Sequence, residues 1–418
     1  MVFSFFTKNI QDKNLALLVD IGSSSVGCAL ARMEKGKAPH IIFTVREDIP
    51  FQESLSSAKF LLAMNHALER VLKAAQSKQI NLRSVRVSRH GDSKSEFGNS
   101  SGKMSADSPS HIFCTLSSPW FILKNRHLHI EKKEPFQITE KILDVFLSDE
   151  IESMKDELRE TLPPADMAII ERKIIQIKLN GYDIKNPYGQ KTSQLEIVAT
   201  IGVSSKIVIQ SIERKIGQYF HTSSLHFSTF PVAAFNAVRD IFPTENNFLF
   251  LDITGEATDV SLVVNDLLIG SVSFPRGKNF FIREISTQLR TIHEEAATIF
   301  AMYLRGELPS DKSVLVEKIV LNAEKDWLTR FVKATSSLAS SGVLPRKIFF
   351  TADADIAQSF LAIIAKAKPE FLLSESFEVQ YIDQHIVAKF VSFETEVLRD
   401  PFIVVEALLA EKLFLQYI

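Results

Sequence analysis

The sequence predicts an α/β chain of two lobes built by duplication, with a separate α+β segment inserted in the first lobe. Two strand–turn–strand stretches carry the duplication: LLVDIGSSSVGCAL at 17–30 and LFLDITGEATDVSL at 249–262. Each is an apolar run ending in Asp-Ile, then a turn of small residues, then a second apolar run. A spacing of about 230 residues is far longer than a solenoid repeat of 20–50, so the pair marks one such turn per lobe. The insertion announces itself by a change of texture, as a Ser-rich stretch at 91–110 gives way to alternating strands around one strongly amphipathic helix.

Taken in order, LALLVDI (15–21) and SVGCALAR (25–32) read as strands around the first turn. Leu55, Phe60, Leu61, Met64, Leu68 and Leu72 recur at helical spacing over about 54–76. Residues 91–110 are a linker by composition. A strand is predicted at 111–116, and LKNRHLHIEK reads as a strand pair ending before Pro135. TEKILDVFLSDEIESMKDELRE (139–160) is a helix with Ile142, Leu143, Phe146, Leu147, Ile151 and Met154 on one side. Strands follow at 172–179 and 195–202, then a helix from Ser204 to Gln218. Further on, 246–253 and 259–265 form a hairpin of buried strands, with GSVSFPRG as a third strand. Helices are expected at 281–304, 311–340 and 356–368, with the strand KIFFT between the last two. The run 401–417 opens on Pro401, which suits a first helical position. The domain reading is a first lobe at 13–90, the linker at 91–110, the inserted subdomain at 111–202, the first lobe resumed at 203–245, a second lobe at 246–395 and a closing helix of the first lobe at 396–418.

Composition excludes several classes. With 45% apolar and 23% charged residues over 418, the chain has ordinary globular make-up and ample length for a large core. A net charge of −2 offers no electrostatic case for nucleic acid. Cys28 and Cys114 cannot make a disulfide framework, and a reducing compartment is the simpler reading. No apolar run approaches the roughly 18 residues of a spanning helix. The opening MVFSFFTKNI has no cleavage site of the signal-peptide kind. Glycine is scarce, at 15 where average usage of about 7% would give roughly 29. Phenylalanine is abundant, at 32 against 6 Tyr and 2 Trp.

A small-residue turn between two strands aims successive backbone N–H groups into one cavity, an anion nest suited to phosphate. An Asp at the end of the preceding strand can order a hydrated Mg²⁺. Two facing copies would clamp a nucleoside triphosphate, with Asp20 and Asp252 near the metal. D-I-G after an apolar run is also a common strand end, and the matched pair is what lifts the signal above that reading.

Together with TFPVAAFNAVRDIF (229–242), these turns resemble the actin-like superfamily, and specifically the bacterial cell-division FtsA family. The most specific segment is DIKNPYGQKTSQLEI (183–197), which is similar to a stretch of that family's inserted subdomain. FPRGKNFFIREISTQLRTIHEEAATIFAMYLRGE and RDPFIVVEALLAE resemble its post-hairpin and closing helices, so the likeness spans about 13–412. The pilus-assembly protein PilM is the nearest rival. The resemblance implies an actin-like, ribonuclease H-like fold and a site for ATP and Mg made by Asp20, Gly22, Ser23, Ser24, Ser25, Asp252, Thr254, Gly255, Thr258, Gly277 and Thr351, with Asp20 and Asp252 at the metal.

The departures from the family pattern all fall on that site. Its D-I-G-G-G-T-T-D run is Asp252-Ile253-Thr254-Gly255-Glu256-Ala257-Thr258-Asp259 here, which sets a carboxylate where phosphates would lie. The Gly-Gly after Pro275 is Gly277-Lys278, the acid expected on the next helix is Arg283, and the adenosine-side glycines are Ala352, Asp353 and Ala354. Phe230 stands before Pro231, where relatives often carry a carboxylate, and a Phe cannot orient water or accept a proton. The expectation is weakened nucleotide binding, no residue assigned to catalysis, and bound ATP acting structurally. Lys278 is weighed as a counter-charge to Glu256, and Arg276, Lys278, Arg283 and Arg290 as a basic patch for an acidic peptide. His111, His127, His129 and His293 lack metal-ligand spacing.

The implied role is a cytoplasmic, membrane-associated scaffold, peripheral to the inner face of the plasma membrane. It would link the tubulin-like division ring to the membrane and self-associate into actin-like protofilaments. The alternatives are a PilM-like scaffold that binds the N-terminal tail of a pilus membrane protein, an active actin-like ATPase, and a sugar or acetate kinase of the same superfamily, which is disfavoured because no separate substrate motif with a plausible base is found. Residues 1–10, with Phe3, Phe6 and Ile10 on one helical face, are the expected membrane contact.

Overall fold

A computed structural model describes residues 12–52, 56–89, 109–161, 166–221, 224–339, 344–367 and 376–415. The expected membrane contact at 1–10, most of the Ser-rich linker (91–108) and the last three residues lie outside these.

The chain opens with β1 (Asp12–Ile21), β2 (Ser25–Arg32) and β3 (His40–Asp48), an antiparallel meander in which Asp20 faces Gly27 and Gly27 faces Arg46. Helix α1 (Ser57–Arg89) covers β2 and β3, and β4 (Pro109–Leu116) follows. Next come β5 (Ile122–Gln137), α2 (Glu140–Thr161), β6 (Met167–Leu179), β7 (Tyr182–Asp183) and β8 (Lys191–Ser205), then α3 (Lys206–Tyr219), β9 (Leu225–Thr229) and α4 (Phe230–Ile241). The second hairpin is β10 (Phe248–Ile253) and β11 (Thr258–Val264), extended by β12 (Leu267–Phe274). Helices α5 (Lys278–Leu289), α6 (His293–Leu304) and α7 (Ser310–Leu338) precede β13 (Lys347–Ala352), α8 (Ala354–Ala365) and β14 (Glu378–Tyr381). The chain closes with α9 (Gln384–Val387), β15 (Ser392–Phe393) and α10 (Pro401–Phe414).

Among the described residues the strands form three sheets, in the orders β15-β3-β2-β1-β4-β9, β12-β11-β10-β13-β14 and β5-β8-β6-β7. Setting β15 aside, the first two orders are the same pattern twice: a meander read backwards, then two further strands. This duplicated α/β architecture with an inserted antiparallel sheet is the actin-like fold. The chain divides into two compact units, one from Met1–Thr115, Ser211–His226 and Asp383–Ile418, the other from Leu116–Gln210 and Phe227–Ile382. The inserted sheet groups with the second unit. Asn125 on β5 gives one reason, since its side-chain amide donates to the carbonyls of Leu268 (2.5 Å) and Ile269 (2.6 Å) on edge strand β12.

In the first unit α10 packs on β1 and β2. Asp400 caps it, its carboxylate accepting from the N–H groups of Phe402 (3.0 Å) and Ile403 (3.3 Å), and Pro401 fills the first position, where a missing N–H costs nothing. In the second unit the core is aromatic, which gives the Phe-rich composition a use. Trp327 is fully buried, stacks on Phe331 (5.3 Å) and meets Phe274 and Phe360 edge-on, at 5.6 and 5.3 Å. Such contacts are each worth about 0.5–1.5 kcal/mol beyond area burial.

Two elements differ from the expectation. The segment read as a strand pair is one strand, β5, which runs through Pro135 to Gln137 with a register shift between Glu131 and Phe136. Because β5 is an edge strand, the missing N–H of Pro135 costs no ladder bond. The single helix expected at 281–304 is two, α5 and α6, because Arg290 adopts a left-handed φ of 53° and ends α5.

Candidate functional site

The sequence places its chemistry on the β1–β2 and β10–β11 turns, and each is described within its own unit. In the first unit, Asp20 sits at the end of β1, 2% exposed. The turn is tight, with Gly22 N–H donating to Ser25 C=O at 3.0 Å. A side chain on Gly22 would press on that same oxygen at 3.2 Å. Ser23 and Ser25 are buried and Ser24 is half-buried.

The residue that dominates this turn is Arg46, on β3. Its guanidinium donates to Asp20 (2.7 Å), to the Ser25 hydroxyl (2.9 Å) and to Asp400 (2.7 Å), and lies 5.1 Å over the ring of Phe402. Burial opposes its charge, but Asp400 and Asp20 outweigh burial and hold it firmly protonated. Gly27 makes the room: a Cβ there would stand 2.5 Å from the Arg46 nitrogen. The sequence held a hint in this glycine, since a Gly inside an apolar strand marks a close approach. Below the turn, Glu406 of α10 is buried and accepts from Val19 N–H at 3.2 Å. Burial first, and then the Asp20 charge, push its pKa well above the usual carboxylate range.

In the second unit, Asp252 at the end of β10 is 1% exposed and accepts from the Thr351 hydroxyl at 2.9 Å. Thr254 closes the turn on itself, its N–H and its hydroxyl both reaching Ala257 C=O at 3.0 Å. The start of α5 docks directly on the turn, with Lys278 N–H donating to Thr254 C=O (3.0 Å) and Asn279 N–H to Gly255 C=O (2.8 Å). A Cβ on Gly277 would collide with the backbone oxygen of Thr254, which explains the glycine there. Thr258 is fully buried, donates to Arg276 C=O at 2.7 Å and accepts from the Trp327 indole at 3.2 Å, so its hydroxyl serves the core. Asp259, facing Asp252 across the hairpin, accepts from the Ser118 hydroxyl (2.5 Å) and N–H (3.3 Å) and from the Ser273 hydroxyl. Burial raises its pKa against the pull of those bonds.

Glu256 does not stand as a bare charge. Its carboxylate accepts from both terminal nitrogens of Arg283, at 2.7 and 2.8 Å, and from the Asn279 amide at 2.7 Å. Glu256 on the turn and Arg283 on α5 therefore form an ion pair. Lys278, weighed as the counter-charge to Glu256, instead reaches Asp355 at 2.7 Å and Asp353 at 3.5 Å. Arg276 pairs with Asp326 at 2.6 Å. Three cations of the expected basic patch therefore have acids of their own. Phe230 is fully buried, the first residue of α4, 6.3 Å from Phe250.

At each turn the carboxylate is bound within its own unit, Asp20 by Arg46 and Glu256 by Arg283 and Asn279. At the first turn Arg46 binds one oxygen of Asp20, the carboxylate expected beside a metal. Phosphate needs N–H donors at the second turn and an absence of negative charge. There, a paired carboxylate, Glu256, occupies the turn. Among the described residues no group of three or more His, Cys, Asp or Glu gathers as a metal site.

Sequence reasoning missed Arg46, Asp400 and Asn279, and also Glu171. This last carboxylate, on β6, accepts from the Thr229 hydroxyl (2.9 Å) and N–H (3.3 Å) and from the Ser228 hydroxyl (3.1 Å), at the N-terminus of α4. Burial pushes its pKa up to about 7 against those bonds.

The fold has relatives among solved structures. Over 95% of this chain and 98% of the other, it superposes on a structure of the PilM–PilN type IV pilus biogenesis complex with a TM-score of 0.59 at 12% identity. The ethanolamine utilization protein EutJ from Carboxydothermus hydrogenoformans gives 0.42 at 9% identity, over 94% and 90% of the two chains. A Bacteroides thetaiotaomicron protein with actin-like ATPase fold gives 0.37 at 9%, over 98% and 99%. No protein-family model matches the chain, and no curated protein matches it in sequence. No helix among the described residues is long and apolar enough to cross a membrane.

Proposed function

We propose that this chain is an actin-fold scaffold that works by holding protein partners and not by turning over ATP. The observation that carries this reading is the Arg46 guanidinium bound to Asp20 at 2.7 Å, an internal cation on the carboxylate that a nucleotide-bound metal would need. The Glu256–Arg283 pair at 2.7 Å supports it from the other turn. The resemblance of the sequence to FtsA supports the finer role: joining a tubulin-like division ring to the membrane and self-associating through the inserted sheet and the second lobe. The whole-chain likeness to the PilM–PilN structure supports a second reading, a pilus-assembly scaffold that binds a membrane partner.

Calorimetric titration with ATP and Mg²⁺ tests the shared part. No saturable heat and no phosphate release are expected, whereas a sub-micromolar dissociation constant would overturn it. Sedimentation with the purified tubulin-like protein, run beside titration with the N-terminal tail of the pilus membrane protein, separates the two finer roles.

A further inference from the structure

In the second unit, Glu171 ties the inserted sheet to the start of α4. It sits on β6 opposite Gly202 of β8, where the β6–β8 register shifts between Ile169 and Glu171, an irregularity of the kind that re-aims a side chain. Gly202 keeps the approach close, since a Cβ there would stand 3.1 Å from Thr229 Cγ2 and 3.2 Å from Glu171 Cβ. Oε1 of the carboxylate accepts from the Ser228 hydroxyl at 3.1 Å, and Oε2 from the Thr229 hydroxyl and N–H at 2.9 and 3.3 Å. Thr229 immediately precedes α4, so the group stands at a helix N-terminus. Those donors and the helix N-terminus favour the ionised form. Burial opposes it and outweighs them, raising the pKa to about 7. Of the charged groups on the surrounding elements, Lys173 on β6 favours the ionised form. β8 brings Gly202 to this point, and β9 brings Ser228 and Thr229. His226 of β9 is engaged with His111 and Ser224, and Arg239, farther along α4, with Asp266.

We propose that Glu171 is a proton-operated latch between the inserted sheet and α4. With the proton on, the carboxyl donates from Oε1 to the Ser228 oxygen, accepts at Oε2 from Thr229, and locks β6 to the helix. With the proton lost, the buried charge is relieved when the carboxylate leaves Ser228 and Thr229 for water. A cavity of about 130 Å³, lined by Lys173, Thr200 and Val232 among others, lies along the same seam between the inserted sheet and α4. A hydrated Glu171 has the ordinary value near 4.5, so every pH unit from there to about 7 shifts the balance toward the open latch. The latch goes beyond the scaffold reading and does not depend on which partner the chain holds.

Hydrogen exchange of the full chain tests this, read by mass spectrometry on peptides across 227–235 and corrected for the intrinsic rate at each pH. Between about pH 5.5 and 8 the opening constant at the start of α4 should rise about 10–30-fold, while β10 keeps its protection. In Glu171→Gln, whose amide offers the donor and acceptor of the protonated acid, the rise should shrink to less than about twofold. Thr229→Val keeps the shape and removes one donor that favours the charged form. It should extend the rise by about 1 pH unit, a result that decides the matter even where the Gln variant does not fold. A rise that persists in Glu171→Gln, is shared equally by β10, or is unmoved by Thr229→Val would overturn the proposal.

Discussion

Replacing Arg46 by Met keeps an unbranched stem and removes the guanidinium with its charge, its donors and its contact with the Phe402 ring. Three hydrogen bonds are lost, to Asp20, Ser25 and Asp400, at 2.7, 2.9 and 2.7 Å. The Asp20 and Asp400 side chains, 3% and 13% exposed, keep their charges without a counter-ion. Breaking a buried pair by removing one partner costs about 3–5 kcal/mol. The Arg46 side chain is itself 23% exposed, which puts this case at the lower end, about 3 kcal/mol. For a folding unit of about 150–250 residues that lowers the melting temperature by about 6–12 °C. Thermal denaturation followed by circular dichroism measures that shift, and urea denaturation the free energy. The diagnostic step is a second substitution. If the cost is stranded charge and not lost packing, Asp20→Asn added to Arg46→Met should restore about 1–2 kcal/mol, although it removes a further native group. A double variant no more stable than Arg46→Met would refute the reasoning, since Asp20 would then be balanced by something other than this guanidinium.

Three further outcomes are expected. Glu171 has a folded pKa raised to about 7, so the folded state holds its proton where the unfolded chain has lost it, and stability falls as pH rises from about 4.5 to 7. Discounted for partial exposure, the loss is about 1–3 kcal/mol, and Glu171→Gln should flatten that part of the pH profile measured by urea denaturation. Gly277→Ala should cost at least about 1–3 kcal/mol in thermal denaturation, because its Cβ meets backbone oxygens of Thr254 and Gly255 and not a yielding side chain. Glu256→Gln should destabilise by about 1–3 kcal/mol in the same assay, and adding Arg283→Met should recover part of it, since the second change removes the charge that the first left buried.

The fold was legible where burial is continuous. Both hairpins read as apolar runs because β10 and most of β2 are buried on both faces, and their likeness announced the duplication. β3 was not read as a strand, since HIIFTVRED is half-exposed and lacks clean alternation. The break between α5 and α6 was hidden because Arg290, not Gly, takes the left-handed turn. At the site, the sequence displayed the odd residues but not their pairing. Glu256 could be seen to oppose phosphate, and Arg283 to replace an acid, but only the docking of α5 on the turn shows that each answers the other. Arg46 lies 26 residues beyond Asp20, and what joins them is the register of β3 on β2 opposite Gly27. That register cannot be read from composition.

The two turns solve opposite charge problems in a common manner. In the first unit a buried carboxylate, Asp20, sits at the turn, and its cation comes from β3 of the same sheet. In the second, a carboxylate is placed in a nest suited to anions, and the matching cation comes from the helix that closes the nest. Each change alone would leave a buried charge costing several kcal/mol, so neither Arg46 nor Glu256 could be retained without its partners. The glycine deficit belongs to the same logic. Gly27 and Gly277 stand where a Cβ would strike Arg46 or the Thr254 carbonyl, while the second turn carries Thr254 and Glu256 on either side of Gly255. At both of these positions glycine is required by the chain's packing on itself.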